Sequence, residues 1–539
     1  MKKLVTLLLA AGLVFAASAP SQAQSVDLKV RGAFQFTGGF FGNWLIPGSN
    51  PGPGAAVVPG ALAAPASFQS SADFRHNRQL AAGTEIKEQH DFFSQRLWLG
   101  LDLAASENLQ GTLELWAGFM TWGFAGADNN SANSRNQSPW QGGGAINGRP
   151  GTLAIRAAYL DWMIPSTTAK VRMGYQNWGT PNMTGLALSP FFRDDFGTGI
   201  QVTVPFTQQV SATLGWLRAS SDDRRNAYNV GSDKDAIDFF SLTVPIKLDG
   251  INITPMLVYG VFGEDTVGTG AVPMMGNYRS PYNLTTHPTT GNPISQGATF
   301  YHLSFSGNLT KFNPFTFAWD LEYANYNGKG VSQNDRSGWF AALSGAYRLD
   351  NNWGVPTLKL WYGSGDDRRA SNGSERMPTT SPASHVNAGM SPLLDDGHRY
   401  GILRGLNANL AGTYGASLQW NSVSFLQDLS HSIRLSYVRG NNSSSRFNNT
   451  LGTTAGLGTG PVGQANVPGY MTNKDSLWML HLENSYVIYK GLTAYLDLFY
   501  LMENFSGSVF NRLVNTPAGI RAAHYSNAYG INTALSWNF

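Results

Sequence analysis

The chain has 539 residues, of which 13% are charged, 42% hydrophobic and 12% aromatic, about half the ~25% charge usual for a soluble globular domain. Its formal net charge of +3 gives no bulk attraction to nucleic acid, and a mean hydropathy of −0.19 excludes a polytopic helical membrane protein. Without cysteine the chain has no thiol chemistry, disulfide, Cys-based metal centre or lipoprotein anchor.

The first residues read as a secretory signal. Lys2 and Lys3 form a basic start, Leu4 to Ala17 is an apolar run too short to span a bilayer comfortably, and Ser21-Gln22-Ala23 is a small-x-small cleavage site. A cleaved signal peptide over residues 1–23 is expected, leaving one domain over 24–539. Export places the mature chain beyond the inner membrane of a bacterium.

From there the hydrophobic pattern has period 2. Leu97, Leu99, Leu101 and Leu103 alternate with other residues, as do Leu492, Ala494, Leu496, Leu498 and Tyr500. Such segments run longer than the ~5–6 residues of a mean globular strand and match the ~9–11 that a tilted strand needs to cross a bilayer. Short connections such as Ser166–Thr168 alternate with long ones such as Ile46–Gln89 and Asp366–Leu410. Loops above ~12–15 residues are uncommon in compact soluble domains. The alternation predicts an all-β, transmembrane antiparallel β-barrel in the bacterial outer membrane, with short periplasmic turns and long extracellular loops.

Eighteen strands are predicted, centred near Val30, Leu99, Leu115, Arg156, Met173, Val202, Leu214, Leu242, Met256, Leu303, Trp319, Ala342, Leu360, Ala416, Leu435, Leu480, Leu496 and Thr533. Merging one hairpin would give sixteen. Trp44, Trp122, Trp162, Trp178 and Trp216 fall near strand ends and are expected to join interfacial girdles.

The apolar phase of each strand points to lipid, so the opposite phase lines the lumen. With Leu28 and Val30 outward, Lys29 and Arg31 point in. By the same rule Arg96, Asp102, Glu114, Arg156 and Arg172 point in, while Ile155 and Ala157 point out. The fifth strand is followed by a long segment, Gly179 to Gly197, that carries Arg193, Asp194 and Asp195. Arg31, Arg96, Arg156 and Arg172 are expected to oppose these loop carboxylates across a constriction. Such opposed charges make a transverse field that sorts solutes by charge and dipole.

Other clusters suggest no chemistry. Asp366-Asp367 and Asp395-Asp396, with His398 nearby, could offer oxygens to calcium, but read better as a solvated loop. Asp102 with Glu114, and Asp320 with Glu322, share a lumen face and read as polar lining rather than an acid–base pair. The scattered histidines select no triad. No catalytic residue, cofactor or metal is expected.

The chain ends in Ile531, Thr533, Leu535, Trp537 and Phe539 at two-residue steps. This resembles the assembly signal of outer-membrane barrels, with Ile531, Leu535, Trp537 and Phe539 as its apolar members. A long loop after the fifth strand resembles the inward third loop of trimeric diffusion porins. With the start Val26-Asp27-Leu28-Lys29-Val30-Arg31-Gly32-Ala33-Phe34-Gln35-Phe36, the chain looks most like the outer-membrane homotrimeric porin family of sulfate-reducing bacteria. That resemblance covers Val26 to Phe539, though its loops carry no specific motif, and the chain departs from enteric porins in having more strands and longer loops. It implies a homotrimer with one pore per chain, passive diffusion of small polar solutes and ions, outer-membrane lipid and lipopolysaccharide as surroundings, and the barrel assembly machinery as a partner. A sugar-type selective channel would share the eighteen-strand plan. A barrel enzyme or adhesin is the remaining alternative.

Overall fold

The computed structural model describes residues 27–42, 89–122, 142–144, 153–186, 195–220, 236–264, 297–330, 332–350, 352–369, 372–378, 410–445, 471–504 and 527–539. The strands are β1 Asp27–Gly42, β2 Gln89–Ser106, β3 Leu109–Trp122, β4 Leu153–Met163, β5 Lys170–Trp178, β6 Asp195–Pro205 and β7 Ser211–Ser220. Next come β8, in two pieces Ile237–Thr243 and Ile246–Leu248, then β9 Ile251–Phe262, β10 Ala298–Leu309, β11 Phe315–Gly328 and β12 Arg336–Tyr347. The last are β13 Val355–Gly363, β14 Thr413–Leu426, β15 Leu429–Gly440, β16 Ser476–Tyr489, β17 Leu492–Asn504 and β18 Ala528–Asn538. Each pairs antiparallel with its chain neighbour, and β1 also pairs with β18, Ala33 opposite Asn538, which closes the barrel. Eighteen strands therefore form the wall, and every predicted strand centre lies in one of them. A short piece, Gly142–Gly144, adds parallel to the end of β3. β8 is interrupted at Val244-Pro245, where proline brings no ladder donor.

The outer surface explains the alternation. Leu257, Leu303, Leu343, Leu360, Leu418 and Leu435 stand exposed at mid-strand. Toward the loop ends the exposed side chains become aromatic, with Trp339, Tyr362, Tyr414, Trp478 and Tyr529. Toward the turn ends they are Tyr347, Trp353, Tyr489 and Trp537. An apolar band between two aromatic girdles is what a barrel needs to sit in a bilayer. Leu303, 52% exposed in the middle of β10, should therefore tolerate no charge. Leu303→Arg is expected to lower folding stability in lipid vesicles by about 2–4 kcal/mol, as at a bilayer midplane; equal urea midpoints for variant and parent would place this face away from lipid.

Two sequence expectations need correction. Trp178 belongs to no girdle. It is 3% exposed, inside the barrel, and its Nε1 donates to Gly197 O at 3.0 Å. Its indole lies over Gly199 and Gly215, where a Cβ would approach it to 2.6 and 2.8 Å, so only glycine admits the ring. Ala157 points inward, not outward. A bulge pairs Leu115 with Ile155 but Glu114 with Ala157, leaving Arg156 as the extra residue. One extra residue reverses the phase after it, so Ile155 is exposed and Ala157 is buried. Trp44 lies outside the described residues.

Candidate functional site

The inner face of β1 to β4 carries a connected set of charges. Arg31 on β1 faces Gly100, where a Cβ would meet the Arg31 side chain at 3.0 Å, so the guanidinium passes over β2. Arg31 Nε donates to Asp102 Oδ2 at 2.9 Å, and its NH2 donates to Glu114 Oε1 at 2.8 Å. The other oxygen of Glu114 accepts from Arg156 NH1 at 3.1 Å. Thr112 donates to Asp102 Oδ1 at 3.0 Å. Glu114 is thus shared by two arginines from opposite sides. The bulge aims Arg156 at it, since bulges redirect side chains. Aromatic faces hold the cations in place. Arg31 lies over Trp98 at 4.8 Å, Arg156 over Trp116 at 5.2 Å and over Phe196 at 4.9 Å, and Arg96 over Trp116 at 5.9 Å.

Arg172 forms a separate pair nearer the turns. It sits opposite Asp161 and donates through two nitrogens to both carboxylate oxygens at 2.7 Å, with Tyr159 under the guanidinium at 4.1 Å. Such a bidentate fork is the strong form of this interaction. The predicted lumen arginines therefore point inward, and the carboxylates that Arg31, Arg156 and Arg172 bond stand on the strands. Arg193 and Asp194 lie outside the described residues, and of Asp195 the structure describes only the backbone, which pairs with Trp178. Asp161 was missed. Counting outward from the turn on both strands, with Arg172 as the reference, would have found it.

The loop after β5 does enter the barrel. Residues 179–186 cross to the opposite wall. The Met183 and Thr184 amides donate to the Asp320 carboxylate on β11 at 2.9 and 2.8 Å, and the Thr184 hydroxyl donates to it as well. Ser306 on β10 donates to Pro181 O at 3.2 Å, and Lys359 on β13 donates to Thr184 O at 2.7 Å. Asp320 is fully buried. A buried carboxylate needs such donors, and each bond to a charged group contributes about 1.5–3 kcal/mol. Leu186 then joins a cluster of buried apolar side chains that runs from Trp178 on β5 round to Leu501 on β17. There Phe239 meets Phe262 and Phe300 edge-to-face at 5.7 and 5.9 Å, and Phe262 meets Tyr326 at 5.2 Å. Asp320, Thr184 and Lys359 were not singled out as a unit, because nothing in the sequence links residues 136 positions apart.

The two walls differ. On β1 to β5 the inner ion pairs keep contact with water, with 33% of the Arg31 and 29% of the Arg172 side chain exposed. On β8 to β11 the inner loop-side positions are sealed.

Other expected positions resolve as follows. Ile531, Leu535, Trp537 and Phe539 share the outer face of the closing strand. Phe539 exchanges two backbone bonds with Gly32, at 2.9 and 3.0 Å. Asp366 is not a solvated loop residue. It is 2% exposed and accepts from the Ser374 hydroxyl and the Arg376 amide. Asp395, Asp396 and His398 lie outside the described residues. His481, Glu483 and Asp497 bring possible ligand atoms within 4.8 Å of one another. Arg434 donates to Glu483 at 2.8 Å and contacts His481 Nδ1 at 3.2 Å, so a cation there would have to displace a guanidinium.

No protein-family description matches this sequence, and no curated protein does. Solved structures that resemble it include OccK11 (OpdR) of Pseudomonas aeruginosa, 11% identical with a TM-score of 0.45, over 96% of this chain and 99% of that one. An anion-selective porin from Comamonas acidovorans is 7% identical, with a TM-score of 0.38, over 96% and 100% of the two chains. The outer membrane channel DcaP of Acinetobacter baumannii is 9% identical, with a TM-score of 0.39, over 96% and 99%. At these values the likeness adds nothing to the fold, which rests on this chain's own strand pairing.

Proposed function

We propose that the protein is an outer-membrane channel through which small hydrophilic solutes and ions diffuse, with the loop after β5 as its constriction. The observation that carries this reading is the anchoring of residues 181–184 across the lumen to Asp320 and Lys359, which narrows a barrel of this strand number while leaving the arginine wall wet. Eighteen strands leave an aqueous interior unless something fills it. Arg31, Arg96, Arg156, Arg172 and Glu114, with Arg193, Asp194 and Asp195 on the loop, are the residues proposed to set its charge preference. Residues 1–23 act as the export signal, and the mature barrel assembles as a homotrimer among outer-membrane lipid and lipopolysaccharide.

Purified protein in a planar bilayer tests the reading. Ohmic conductance appearing in three equal steps supports a trimeric channel, and a silent bilayer favours an enzyme or adhesin. The assembly role of the C-terminus is tested separately. Phe539→Ala keeps both backbone bonds to Gly32 but removes the terminal ring. It should reduce the heat-modifiable oligomer recovered from outer membranes, and undiminished recovery would remove Phe539 from the assembly signal.

A further inference from the structure

We infer that the inner wall of β13 to β16 holds a binding station for a small, neutral, polyhydroxylated solute of monosaccharide size. The inference rests on the channel reading and adds a solute class to it.

A cavity of about 320 Å3 opens in this wall on the turn side of the strands, at the small end for solute sites. Its lining is polar throughout. Ser422, Ser430, Ser432 and Ser485 supply hydroxyls, and Gln419 and Asn421 supply amides. The cavity adjoins the constriction, because Lys359 lines it while holding Thr184 O at 2.7 Å. A solute passing the loop meets this wall.

The wall is built rather than incidental. The ladder between β14 and β15 slips between Trp420 and Val423, so Asn421 and Ser422 both reach the cavity although they are consecutive. Bulges of this kind re-aim side chains near functional sites. Ser422 takes a φ of 58° there, and its amide donates to Ser432 Oγ at 3.2 Å. Asn421 Nδ2 donates to Gln419 Oε1 at 3.3 Å, and Arg434 Nε donates to Asn421 Oδ1 at 3.3 Å. These bonds fix the amides before a solute arrives, which lowers the cost of binding.

One pair faces the space with its hydrogen bonds still to make. Ser430 and Ser485 sit directly opposite each other. Among the described residues, neither hydroxyl bonds another protein group. A hydroxyl gives one donor and accepts twice, so a pair of them matches the adjacent hydroxyls of a sugar. Each charged group in the lining already has a protein partner: Arg434 pairs with Glu483 at 2.8 Å, and the Lys359 ammonium donates to Thr184 O at 2.7 Å. Among the described residues no aromatic side chain lines the cavity, so recognition rests on hydroxyl and amide bonds.

The test uses the full protein in detergent and in planar bilayers, with glucose as probe, tetraethylene glycol as a solute with few hydroxyls, and gluconate as the acid. Saturation-transfer NMR should detect glucose but not the glycol. Glucose should reduce conductance saturably. The double variant Ser430→Ala with Ser485→Ala should raise the half-saturating glucose concentration about ten-fold, which corresponds to about 1.4 kcal/mol, with the oligomer intact. Ser422→Ala keeps the amide that binds Ser432 and serves as a second, milder variant, expected to weaken glucose less. Equal half-saturation in the double variant and the parent overturns the station, as does equal transfer to glucose and the glycol. Gluconate binding more tightly than glucose overturns the neutral class. Transfer to glucose without any conductance would instead refute the channel reading and leave the station standing.

Discussion

Asp320→Ala should open the channel. The substitution removes the acceptor for both amides and the hydroxyl of the loop at Met183 and Thr184. At about 1.5–3 kcal/mol for each bond to a charged group, the loss exceeds what the remaining anchors, Ser306 to Pro181 O and Lys359 to Thr184 O, can offset. Leu186 still has its apolar cluster, so the loop should loosen at the latch rather than leave the barrel. Single-channel conductance should rise with the oligomer intact, and current noise should grow as the loop samples more than one position. Asp320→Asn is the informative companion. It keeps one carbonyl acceptor of the same shape, so its conductance should lie between those of the parent and the alanine variant. Unchanged conductance in both variants would mean that the latch does not set the narrowest section.

Glu114→Gln should shift ion preference toward anions. Glu114 is the only carboxylate among the described residues bonded to both Arg31 and Arg156. Removing its charge leaves the two guanidiniums with Asp102 as their one bonded carboxylate among the described residues, so the local potential becomes more positive. Arg156→Ala should shift the zero-current potential the other way, toward cations. Arg172→Ala should move it little. Arg172 is paired to Asp161, five residues along β4 from Arg156, a separation of ~16 Å at the strand rise of ~3.3 Å and well beyond the Debye length of ~8 Å at physiological ionic strength. Both large shifts should shrink at 1 M salt, where that length falls to about 3 Å. Reversal potentials across a salt gradient, at low and at high salt, read all of this. Equal shifts from Arg156→Ala and Arg172→Ala would show that the field is spread along the lumen rather than focused.

Much of the wall could be read from sequence because a barrel strand faces two unlike solvents. Lipid demands Leu99, Leu101 and Leu103 on one face, and water accepts Gly100 and Asp102 on the other, so the pattern survives without any knowledge of partners. Even the segments around Ala342 and Ala416, diluted by alanine and serine, form strands of 12 and 14 residues. Failures began wherever a single residue broke the period or a contact crossed the lumen. The bulge at Arg156 leaves no mark in the sequence, since Ile155 and Ala157 are both apolar and look like one face. Trp178 at a strand end looks like a girdle residue until Gly199 and Gly215 are seen beneath it. The lumen arginines were legible as inward cations, but their partners depend on register between strands. Asp320 reads as ordinary lining, and only the folded barrel brings Thr184 to it.

Because the chain contains no cysteine, the inward latch can be tested by a single engineered pair. In a Thr184→Cys, Asp320→Cys variant the two thiols replace side chains that already hydrogen-bond each other, and a disulfide forms only when the Cβ atoms come within about 3.5–4.5 Å. Single-channel conductance is then recorded in one bilayer before and after adding a reductant. If residues 181–184 span the lumen and narrow it, the oxidised channel conducts like the parent, and reduction raises the conductance to that of Asp320→Ala. If the disulfide forms and reduction leaves the conductance unchanged, the loop is not the constriction.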